Sequence, residues 1–470
     1  MEFWKVAHPA DAPAAIDTRT GKVWCYRDLL REVARVETVL PQLGRKSLGL
    51  LFTQNRYECL VTYLAALRSG SALILLDSSL SADLLSDFLE TYQPDWIFSL
   101  AGPAPFCGYQ VSSSGVSGLF VRQQIKDLRI HPDLALLLTT SGSTGSPKLV
   151  RLTLGNLAAN AGSISKYLGL TPDEKAITSL PISYSYGLSV VNSHLAVGAS
   201  LVLTDVGVLQ REFWDALDGQ RCTSFAGVPY TYQMLLQTGL LKTKGASLRA
   251  LTQAGGRLEE RFIGQMYQLA LGRGWKFFVM YGQTEATARI SYVPFEHLGD
   301  KIGSVGVAIP NGELSVDEAT EELIYQGPNV MHGYAENRAD LAKGDELHGV
   351  LRTGDLARLD EDGYFYITGR LKRFLKMFGK RFNLDDAEKV LARRCETVVA
   401  CFGRDDLLLA AVEDGTNRSQ IHTTICEAFA LPRPAVRVVA LPSLPRTPNG
   451  KLDYKKLAEA AEQRGEAVLG

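Results

Sequence analysis

The chain has 470 residues, with 50 lysines and arginines against 51 aspartates and glutamates. This length exceeds one ordinary domain, and the balanced charge argues against nucleic acid as the main partner. Seven scattered cysteines without a C-x-x-C pair and seven histidines without metal-ligand spacing argue against structural zinc and favour a reducing compartment. The first residues lack the apolar segment of a signal peptide, and no apolar run is long enough to span a membrane. We therefore expect a cytoplasmic protein with more than one hydrophobic core.

Helix and strand patterns alternate through most of the first 370 residues. The predicted helices are Tyr26–Leu40, Tyr57–Ser69 and Ala82–Tyr92. The predicted strands are Ser47–Phe52, Ala72–Leu76, Trp96–Ser99, Ser200–Leu203, Ser224–Ala226, Leu251–Gln253 and Lys276–Met280. Such alternation is typical of parallel sheets with helices on their faces. It predicts an α/β fold for this part of the chain.

The pattern changes after Thr284. The segments Ile302–Leu314, Glu322–Tyr325 and Tyr364–Ile367 are rich in strand-forming residues, which predicts a small β subdomain at about 286–370. Beyond it we predict helices at Asp385–Arg394 and Gln420–Phe429 and strands at Val398–Phe402 and Leu407–Val412. The expected division is therefore a core at 1–370 and a small α+β domain at 371–470, a usual size for such a domain.

The stretch Leu137–Lys148, LLTTSGSTGSPK, is a glycine- and hydroxyl-rich loop after an apolar run. Glycines let backbone N–H groups approach a phosphate, and Lys148 adds a cation. A Walker loop needs four residues between its first glycine and a Gly-Lys-Ser/Thr ending, whereas two residues separate Gly142 from Gly145. The loop also lacks the G-x-G-x-x-G of a dinucleotide site. It predicts a polyphosphate site of another kind, with a flexible surface turn as the alternative.

Four further motifs follow in order. They are Tyr281-Gly282-Gln283-Thr284-Glu285, Arg352-Thr353-Gly354-Asp355, Gly369-Arg370-Leu371-Lys372 and Pro448-Asn449-Gly450-Lys451. Each alone is compatible with an ordinary turn carrying a solvated side chain. Together they resemble the adenylate-forming superfamily of acyl-CoA synthetases, nonribosomal-peptide adenylation domains and luciferases, from near the start of the chain to about Leu457. The resemblance implies a large N-terminal domain, a small mobile C-terminal lid, and activation of a carboxylic acid by ATP to an acyl-AMP with release of pyrophosphate.

The resemblance also implies a role for individual residues. Tyr281 would stack on adenine, Thr284 would bond the α-phosphate, and Asp355 would accept hydrogen bonds from the ribose. Glu285 and Thr144 would ligate Mg²⁺, and Lys451 would stabilise charge between the acid and the α-phosphate. The full set implied for ATP or AMP is Thr139, Thr140, Ser141, Gly142, Ser143, Thr144, Gly145, Lys148, Gly255, Gly256, Arg257, Tyr281, Gly282, Gln283, Thr284, Asp355, Ile367, Arg370 and Lys451, with Lys451, Thr284 and Glu285 as the catalytic residues.

The segment PISYSYGL, Pro181–Leu188, corresponds to the part that lines the acyl pocket in the family. The implied pocket residues are Tyr184, Ser185, Tyr186, Gly187, Val228 and Gly282. Amino-acid-activating relatives carry an aspartate where this chain has Ser185, and a buried ammonium without a counter-charge costs several kcal/mol. We therefore expect an aliphatic or aryl acid without an α-amino group. The alternative is a stand-alone amino-acid adenylating enzyme that loads a carrier protein. In that case another acidic residue supplies the charge, or the position that matches the aspartate is one residue away from Ser185.

The sequence leaves two alternatives for the thiol acceptor. They are coenzyme A and the phosphopantetheine arm of a separate acyl carrier protein. The basic run contains Arg370, Lys372, Arg373, Lys376, Lys380 and Arg381. This basic run would suit the phosphates of coenzyme A or an acidic helix of a carrier protein. The same run is equally compatible with a solvated basic surface that binds neither. Lys372 occupies the hinge about which the family's lid rotates.

The sequence leaves two other functional classes open for the whole chain. A non-catalytic nucleotide-binding relative would not need both lysines together with Glu285 and Asp355. A kinase or hydrolytic ATPase would release ADP and phosphate instead of AMP and pyrophosphate.

Overall fold

The computed structural model describes residues 2–78, 80, 82–100, 106–124, 129–140, 148–371, 373–378, 380–414, 416–429, 431–447 and 450–464. The chain forms two compact units. The first comprises Met1–Leu314 and Tyr325–Leu351, and the second comprises Ser315–Ile324 and Arg352–Gly470. The boundary predicted from the sequence, between a core at 1–370 and a lid domain at 371–470, remains a prediction. No helix that the structure describes has both the length and the apolar character needed to cross a membrane.

The elements are numbered in chain order. The strands are β1 (Pro13–Asp17), β2 (Val23–Cys25), β3 (Leu48–Thr53), β4 (Ala72–Asp77), β5 (Trp96–Phe98), β6 (Tyr109–Val111), β7 (Leu119–Arg122), β8 (Leu134–Thr139), β9 (Leu149–Thr153), β10 (Lys175–Ile177), β11 (Ser200–Leu203), β12 (Ser224–Gly227), β13 (Ala250–Gln253), β14 (Lys276–Tyr281), β15 (Ser291–Tyr292), β16 (Val307–Ala308), β17 (Glu313–Val316), β18 (Glu322–Gln326), β19 (Tyr334–Ala335), β20 (Val350–Leu359), β21 (Phe365–Arg370), β22 (Phe374–Met377), β23 (Lys380–Asn383), β24 (Ala400–Arg404), β25 (Leu407–Glu413) and β26 (Val436–Leu441). The α-helices are α1 (Tyr26–Val39), α2 (Tyr57–Arg68), α3 (Ala82–Tyr92), α4 (Leu154–Leu168), α5 (Ser185–Ala196), α6 (Arg211–Gly219), α7 (Pro229–Thr238), α8 (Leu240–Thr243), α9 (Glu260–Arg273), α10 (Leu384–Cys395), α11 (Arg418–Phe429) and α12 (Tyr454–Gln463). Short 3₁₀ turns lie at Phe3–Lys5, Thr284–Ala286, Phe295–His297, Arg338–Ala342 and Arg433–Ala435.

One sheet of the first unit has the order β16-β15-β14-β13-β12-β10-β11-β1-β2. The pairings from β14 through β1 are parallel, and β15, β16 and β2 extend the sheet antiparallel at its two edges. Every residue of β11 and β12 is buried, because helices such as α5 and α7 pack on the sheet. Since parallel strands end at a common edge, the residues that follow β12, β13 and β14 lie near one another.

A second sheet of this unit has the order β19-β9-β8-β4-β3-β5-β7-β6. Strands β8, β4, β3 and β5 are parallel, and β9 turns back antiparallel beside β8. The short strand β19 pairs with β9, with Tyr334 opposite Val150. This pairing brings a segment more than 180 positions later in the chain to the strand that follows the predicted phosphate loop.

The second unit contains a mostly antiparallel set of smaller sheets. Strands β17, β18, β20 and β21 form one sheet, and the division between the units falls within β17, β18 and β20. Strands β24, β25 and β26 form another, with α11 packed against β26. Apolar side chains of α10, α11 and α12, such as Leu391, Ile425 and Leu457, are fully or almost fully buried beside these strands.

The predicted α/β class, with parallel-rich sheets in a large N-terminal part and a small α+β C-terminal part, is confirmed. The predicted helices and strands listed for the first part all occur, with ends shifted by at most a residue or two. Strand β20 was not predicted, because its ten residues Val350–Leu359 mix charged and apolar side chains and contain Gly354. Helix α5 was not predicted either, although it begins at Ser185 in the predicted acyl pocket.

Candidate active site

The predicted site residues of the first unit follow the carboxyl ends of its parallel strands. Thr139 ends β8, Gly255 follows β13 after Ala254, and Tyr281 ends β14. The five residues Tyr281–Glu285 are half-buried, whereas the next five, Ala286–Ile290, are all buried. The motif therefore leaves its side chains accessible while the following turn anchors it to the core.

Helix α5 meets this motif at its first residue. The hydroxyl oxygens of Ser185 and Thr284 are 3.2 Å apart, within hydrogen-bond distance. Ser185 is nearly buried and is the first residue of α5, whose first N–H groups have no partner within the helix. The geometry joins one predicted pocket residue to one predicted α-phosphate residue.

Tyr334 connects two further predicted residues. Its phenol donates a hydrogen bond of 2.8 Å to Oε1 of Glu285, and its ring centroid lies 3.8 Å from Nζ of Lys148. The same ammonium is 3.4 Å from the carboxylate of Glu336, which is largely exposed. Burial, and after it the charge of Glu285, raise the pKa of Tyr334, so the phenol stays protonated and remains a donor.

Arg151 holds the strand that carries Tyr334. It is almost fully buried, and its guanidinium donates to the carbonyls of Tyr334 at 3.1 Å and His332 at 2.8 Å and to the carboxylate of Glu346. A guanidinium that spreads its donors over several backbone carbonyls fixes their relative positions. Arg151 thereby fixes the main chain at Tyr334 through the hydrogen bond to its carbonyl.

The turn after Glu285 is strained and heavily supported. Thr287 has φ 64° and ψ −50°, and the N–H of Ala288 bonds the carbonyl of Ala286 at 2.6 Å, as in a classic γ-turn. The amide of Asn329 donates to the carbonyls of Ala286 and Arg289 at 2.8 and 2.9 Å. A strained β-branched residue persists only where its surroundings over-determine it, so this turn fixes the direction of the preceding Thr284–Glu285 pair.

The predicted pocket residues converge around Gly255. This glycine has φ +84°, and a Cβ there would stand 2.3 Å from the phenol oxygen of Tyr184 and 3.3 Å from Val228. Burial raises the pKa of Tyr184 to about 12. The phenol of Tyr186 donates to the carbonyl of Thr252 at 2.7 Å, at the end of β13. The structure therefore brings Tyr184, Tyr186 and Val228 together at the strand ends.

Two other pocket glycines are needed for close packing of the backbone. A Cβ at Gly187 would lie 2.2 Å from the carbonyl oxygen of Pro181, and one at Gly282 would lie 1.9 Å from that of Ala288. Beside them, the side-chain amide of Gln283 donates to the phenol of Tyr281 at 3.1 Å. The close packing at Gly282 fixes the main chain directly after Tyr281, the predicted adenine residue.

Among the described residues, three further predicted nucleotide residues of the first unit, Gly256, Arg257 and Thr140, are exposed or half-buried. The carbonyl of Gly256 accepts from the side chain of Gln253 at 2.9 Å, and exposed Arg257 lies 3.4 Å from Glu260. Thr140 is half-buried. Ser141, Gly142, Ser143, Thr144 and Gly145 lie outside the described residues.

In the second unit, Asp355 and Arg370 are partners. They face each other across strands β20 and β21, and Nε of Arg370 donates to Oδ1 of Asp355 at 2.9 Å. Asp355 is nearly buried, whereas the Arg370 side chain is 60% exposed. Ile367 is on the same strand as Arg370, opposite Ala357. The carboxylate of Asp355 is a candidate acceptor for a ribose hydroxyl.

Lys451 follows a tight hairpin of the second unit. The N–H of Gly450 bonds the carbonyl of Thr447 at 2.8 Å, and Gly450 has φ +77°. The N–H of Thr447 in turn bonds the carbonyl of Lys451 at 2.8 Å. Pro448 and Asn449 of this motif lie outside the described residues, as does the predicted hinge residue Lys372.

One expectation about the basic run needs correction. Arg373 is not part of an accessible cationic face, because its guanidinium is bound by Asp385, by Glu388 at 2.8 Å and by the carbonyl of Cys401 at 2.9 Å. Its plane also lies 4.0 Å from the ring of Tyr454. Arg373 therefore serves the interior of the second unit and not a phosphate of the acceptor.

The oxygen atoms around Glu285 fit the predicted Mg²⁺. This ion prefers hard oxygen ligands and is commonly held by one or two carboxylates together with substrate phosphates. Glu285 supplies a half-buried carboxylate that Tyr334 orients, and the hydroxyl of Thr284 precedes it. Among the residues that the structure describes, there is no group of three or more His, Cys, Asp or Glu side chains placed to hold a metal.

Sequence reasoning missed Tyr334, Asn329 and Arg289. Tyr334 and Asn329 reach the site through the pairing of β19 and the turn before it, which no local pattern reveals. Arg289 had a detectable signal, since it is a charged residue within the otherwise uncharged run ATARISYVP. The structure buries it to 2% exposure beside the pocket tyrosines.

Comparison with known proteins agrees with this architecture. The sequence profile of the AMP-binding enzyme family matches residues 2–335. The chain is 30% identical over 411 residues to a feruloyl-CoA synthase from an Amycolatopsis species, covering 83% of this chain and 82% of that protein. It is 27% identical over 392 residues to a 2-succinylbenzoate–CoA ligase from Bacillus pumilus, covering 79% and 78%.

A solved structure shares the fold over nearly the whole chain. It is the o-succinylbenzoate CoA synthetase MenE from Bacillus subtilis in complex with the acyl-adenylate intermediate OSB-AMP. The TM-score is 0.77 at 20% identity, and 97% of each chain is covered. The chain belongs to the AMP-binding enzyme family, and its fold is that of the adenylate-forming enzymes.

Proposed function

We propose that the protein is an AMP-forming acid–CoA ligase. The observation that carries this proposal is the Lys148–Tyr334–Glu285 arrangement, in which one side chain contacts both a cation and a half-buried carboxylate. A cation and a metal-binding carboxylate at fixed separation suit the charge of a triphosphate, and nucleotidyl transfer depends mainly on such positioning and charge stabilisation. The family membership and the CoA-ligase relatives support the same reaction.

In the first step, a carboxylate oxygen of the acid attacks the α-phosphorus of ATP. A bond forms between that oxygen and phosphorus, the bond from the α-phosphorus to the bridging oxygen of the β-phosphate breaks, and pyrophosphate leaves. Glu285 would hold Mg²⁺, which neutralises phosphate charge. Thr284, fixed by the hydroxyl of Ser185 and by the strained turn, would donate to an α-phosphate oxygen.

In the second step, the sulfur of a thiol attacks the acyl carbon of the acyl-AMP. A thioester forms, the proton of the thiol passes to solvent, the bond from the acyl carbon to the phosphate oxygen breaks, and AMP leaves with the electron pair. We propose coenzyme A as the thiol, because the relatives reported above are named for it. Transfer to a carrier protein is the alternative, and so is activation of an amino acid.

The contributions of the second unit are proposals from the motifs. Asp355 would accept from the ribose hydroxyls with Arg370 beside it, since the two already form an ion pair. Lys451 would stabilise the charge that develops in the first step. Lys372 would be the hinge of a lid that serves the two steps in turn.

A screen of pyrophosphate release tests this proposal. The full-length protein is incubated with ATP and Mg²⁺ and with fatty, hydroxy, aryl, dicarboxylic or amino acids, each with and without coenzyme A. We expect acid-dependent pyrophosphate release and, with coenzyme A, a thioester. Acid-independent hydrolysis of ATP to ADP would contradict the proposal, and binding of ATP without release of any product would favour the non-catalytic alternative.

A further inference from the structure

The side chain of Arg289 is a buried cation without a matching anion. It is only 2% exposed, and its Nε has no hydrogen-bond partner. No carboxylate among the residues that the structure describes forms an ion pair with it. A buried charge without a partner is costly, so a protein retains one where something outside the folded chain uses it.

Aromatic rings surround this guanidinium. Its central carbon lies 3.9 Å from the ring of Tyr186, and the phenols of Tyr167 and Tyr184 are close enough for its charge to lower their pKa values against the larger opposing effect of burial. A cation–π contact offsets part of the desolvation cost of a cation. The phenols stay neutral at physiological pH, because burial raises the pKa of Tyr184 to about 12. The rings therefore solvate the charge without neutralising it.

Arg289 is directly behind the predicted acyl pocket. Tyr186, under the guanidinium, makes an edge contact with Tyr184 at 6.2 Å between ring centroids. The phenol oxygen of Tyr184 in turn packs against Gly255, next to Val228. The main chain also fixes Arg289, because its carbonyl accepts from the side chains of Asn329 at 2.9 Å and Asn160 at 3.3 Å. The cation is thus held in place at the far side of an aromatic pocket.

We propose that Arg289 binds a second carboxylate of the substrate, so that the preferred acids are dicarboxylic acids. This inference rests on the proposed function and narrows its substrate class. One carboxylate of the acid would react with ATP, and the distal carboxylate would pair with the guanidinium. A guanidinium presents parallel N–H donors that match a carboxylate. A pocket built to bond a charged group discriminates strongly against an analogue that lacks it.

The test compares matched acids by pyrophosphate release. Succinate, glutarate and adipate are paired with butanoate, pentanoate and hexanoate, and terephthalate is paired with benzoate. The monomethyl ester of each diacid controls for size. We expect at least one diacid to exceed both its monoacid and its ester in kcat/KM by roughly 10- to 100-fold, as for the loss of a charge-assisted hydrogen bond. Higher kcat/KM for monoacids throughout would overturn the inference while leaving the proposed function intact.

The variant Arg289→Met provides the second readout. It should lower kcat/KM for the diacid by roughly 10- to 100-fold more than kcat/KM for the monoacid, which removes the preference for the diacid. It should also raise the melting temperature of the protein without acid, because replacing an uncompensated buried charge by an apolar side chain is often stabilising. Arg289→Lys should keep part of the preference. An equal loss of activity with both acids together with a lower melting temperature would show a structural arginine and overturn the inference. Absence of pyrophosphate release with every acid, in the wild-type protein, would instead contradict the proposed function on which it rests.

Discussion

The phenol of Tyr334 donates to the carboxylate of Glu285 at 2.8 Å while its ring lies 3.8 Å from the ammonium of Lys148. The two charged residues belong to different motifs, and Tyr334 belongs to neither. Arg151 bonds the carbonyl of Tyr334 and so fixes the strand that carries it. One neutral side chain therefore sets the positions of the cation and of the carboxylate that we assign to phosphate and metal binding.

Tyr334→Phe should weaken the binding of Mg²⁺ at the site more than the binding of ATP. The variant keeps the ring beside Lys148 but loses the hydrogen bond to Glu285, and a hydrogen bond to a charged group contributes about 1.5–3 kcal/mol. We expect pyrophosphate exchange to fall by roughly 10- to 100-fold at limiting Mg²⁺ and to recover in part at high Mg²⁺. The measurement is exchange as a function of Mg²⁺ concentration.

Tyr109→Phe is the control for that variant. The phenol of Tyr109 also donates a hydrogen bond, to the carbonyl of Pro94 at 2.6 Å, but it lies at the edge of the second sheet on β6. The Tyr109→Phe protein should be less stable than the wild type, but its pyrophosphate exchange should depend on Mg²⁺ concentration in the same way. The same Mg²⁺ dependence in Tyr334→Phe and in the wild type would show that Tyr334 does not position Glu285.

Much of the fold was predictable, because the periodicity of apolar residues is local. The strand before Tyr281 and the helix Ala82–Tyr92 needed no knowledge of the rest of the chain. The motif residues Thr284 and Glu285 were also predictable as a strand-end pair. Tyr334 was not, because its two-residue strand reaches the site only by pairing with β9. The burial of Arg289 depends on tertiary packing that a single sequence does not encode locally.

Gly255→Ala should impair binding of the acid specifically. The new methyl group would stand 2.3 Å from the phenol oxygen of Tyr184, and the backbone has φ +84°. Gly274→Ala provides the matched control, since Gly274 has φ +68° and open space around it. Both variants should lose about 1 kcal/mol of stability from the positive φ, measured by chemical denaturation. Only Gly255→Ala should raise the KM for the acid, and equal KM values in the two variants would place the acid elsewhere.

Typical α-amino acids should be poor substrates. The predicted pocket has Ser185 at the position where the resemblance implies an aspartate in amino-acid activators, and the buried cation Arg289 would repel an ammonium group. Pyrophosphate exchange should be compared for phenylalanine and 3-phenylpropanoate, and for leucine and 4-methylpentanoate. We expect the des-amino acid of each pair to react faster. Faster exchange with either amino acid would support the carrier-loading alternative.

Lys451→Ala should nearly abolish formation of the acyl-AMP. Loss of a preorganised charge contact in the transition state typically costs about 10²–10³ in rate. Lys456→Ala, which removes an exposed lysine in the first turn of α12, should leave the rate unchanged. The two half-reactions are measured separately, and thioester formation from preformed acyl-AMP should survive far better in Lys451→Ala. Near-wild-type pyrophosphate exchange in this variant would mean that another cation has this role.

The identity of the phosphorus-containing products is the decisive test of the proposed ligase activity. The wild-type protein is incubated with ATP, Mg²⁺, coenzyme A and the best acid of the screen, and ³¹P NMR follows the nucleotide while mass spectrometry follows the thioester. We expect AMP, pyrophosphate and the acyl thioester to form in equal amounts and none of them to form without the acid. Formation of ADP and phosphate, or consumption of ATP that does not depend on the acid, would contradict it.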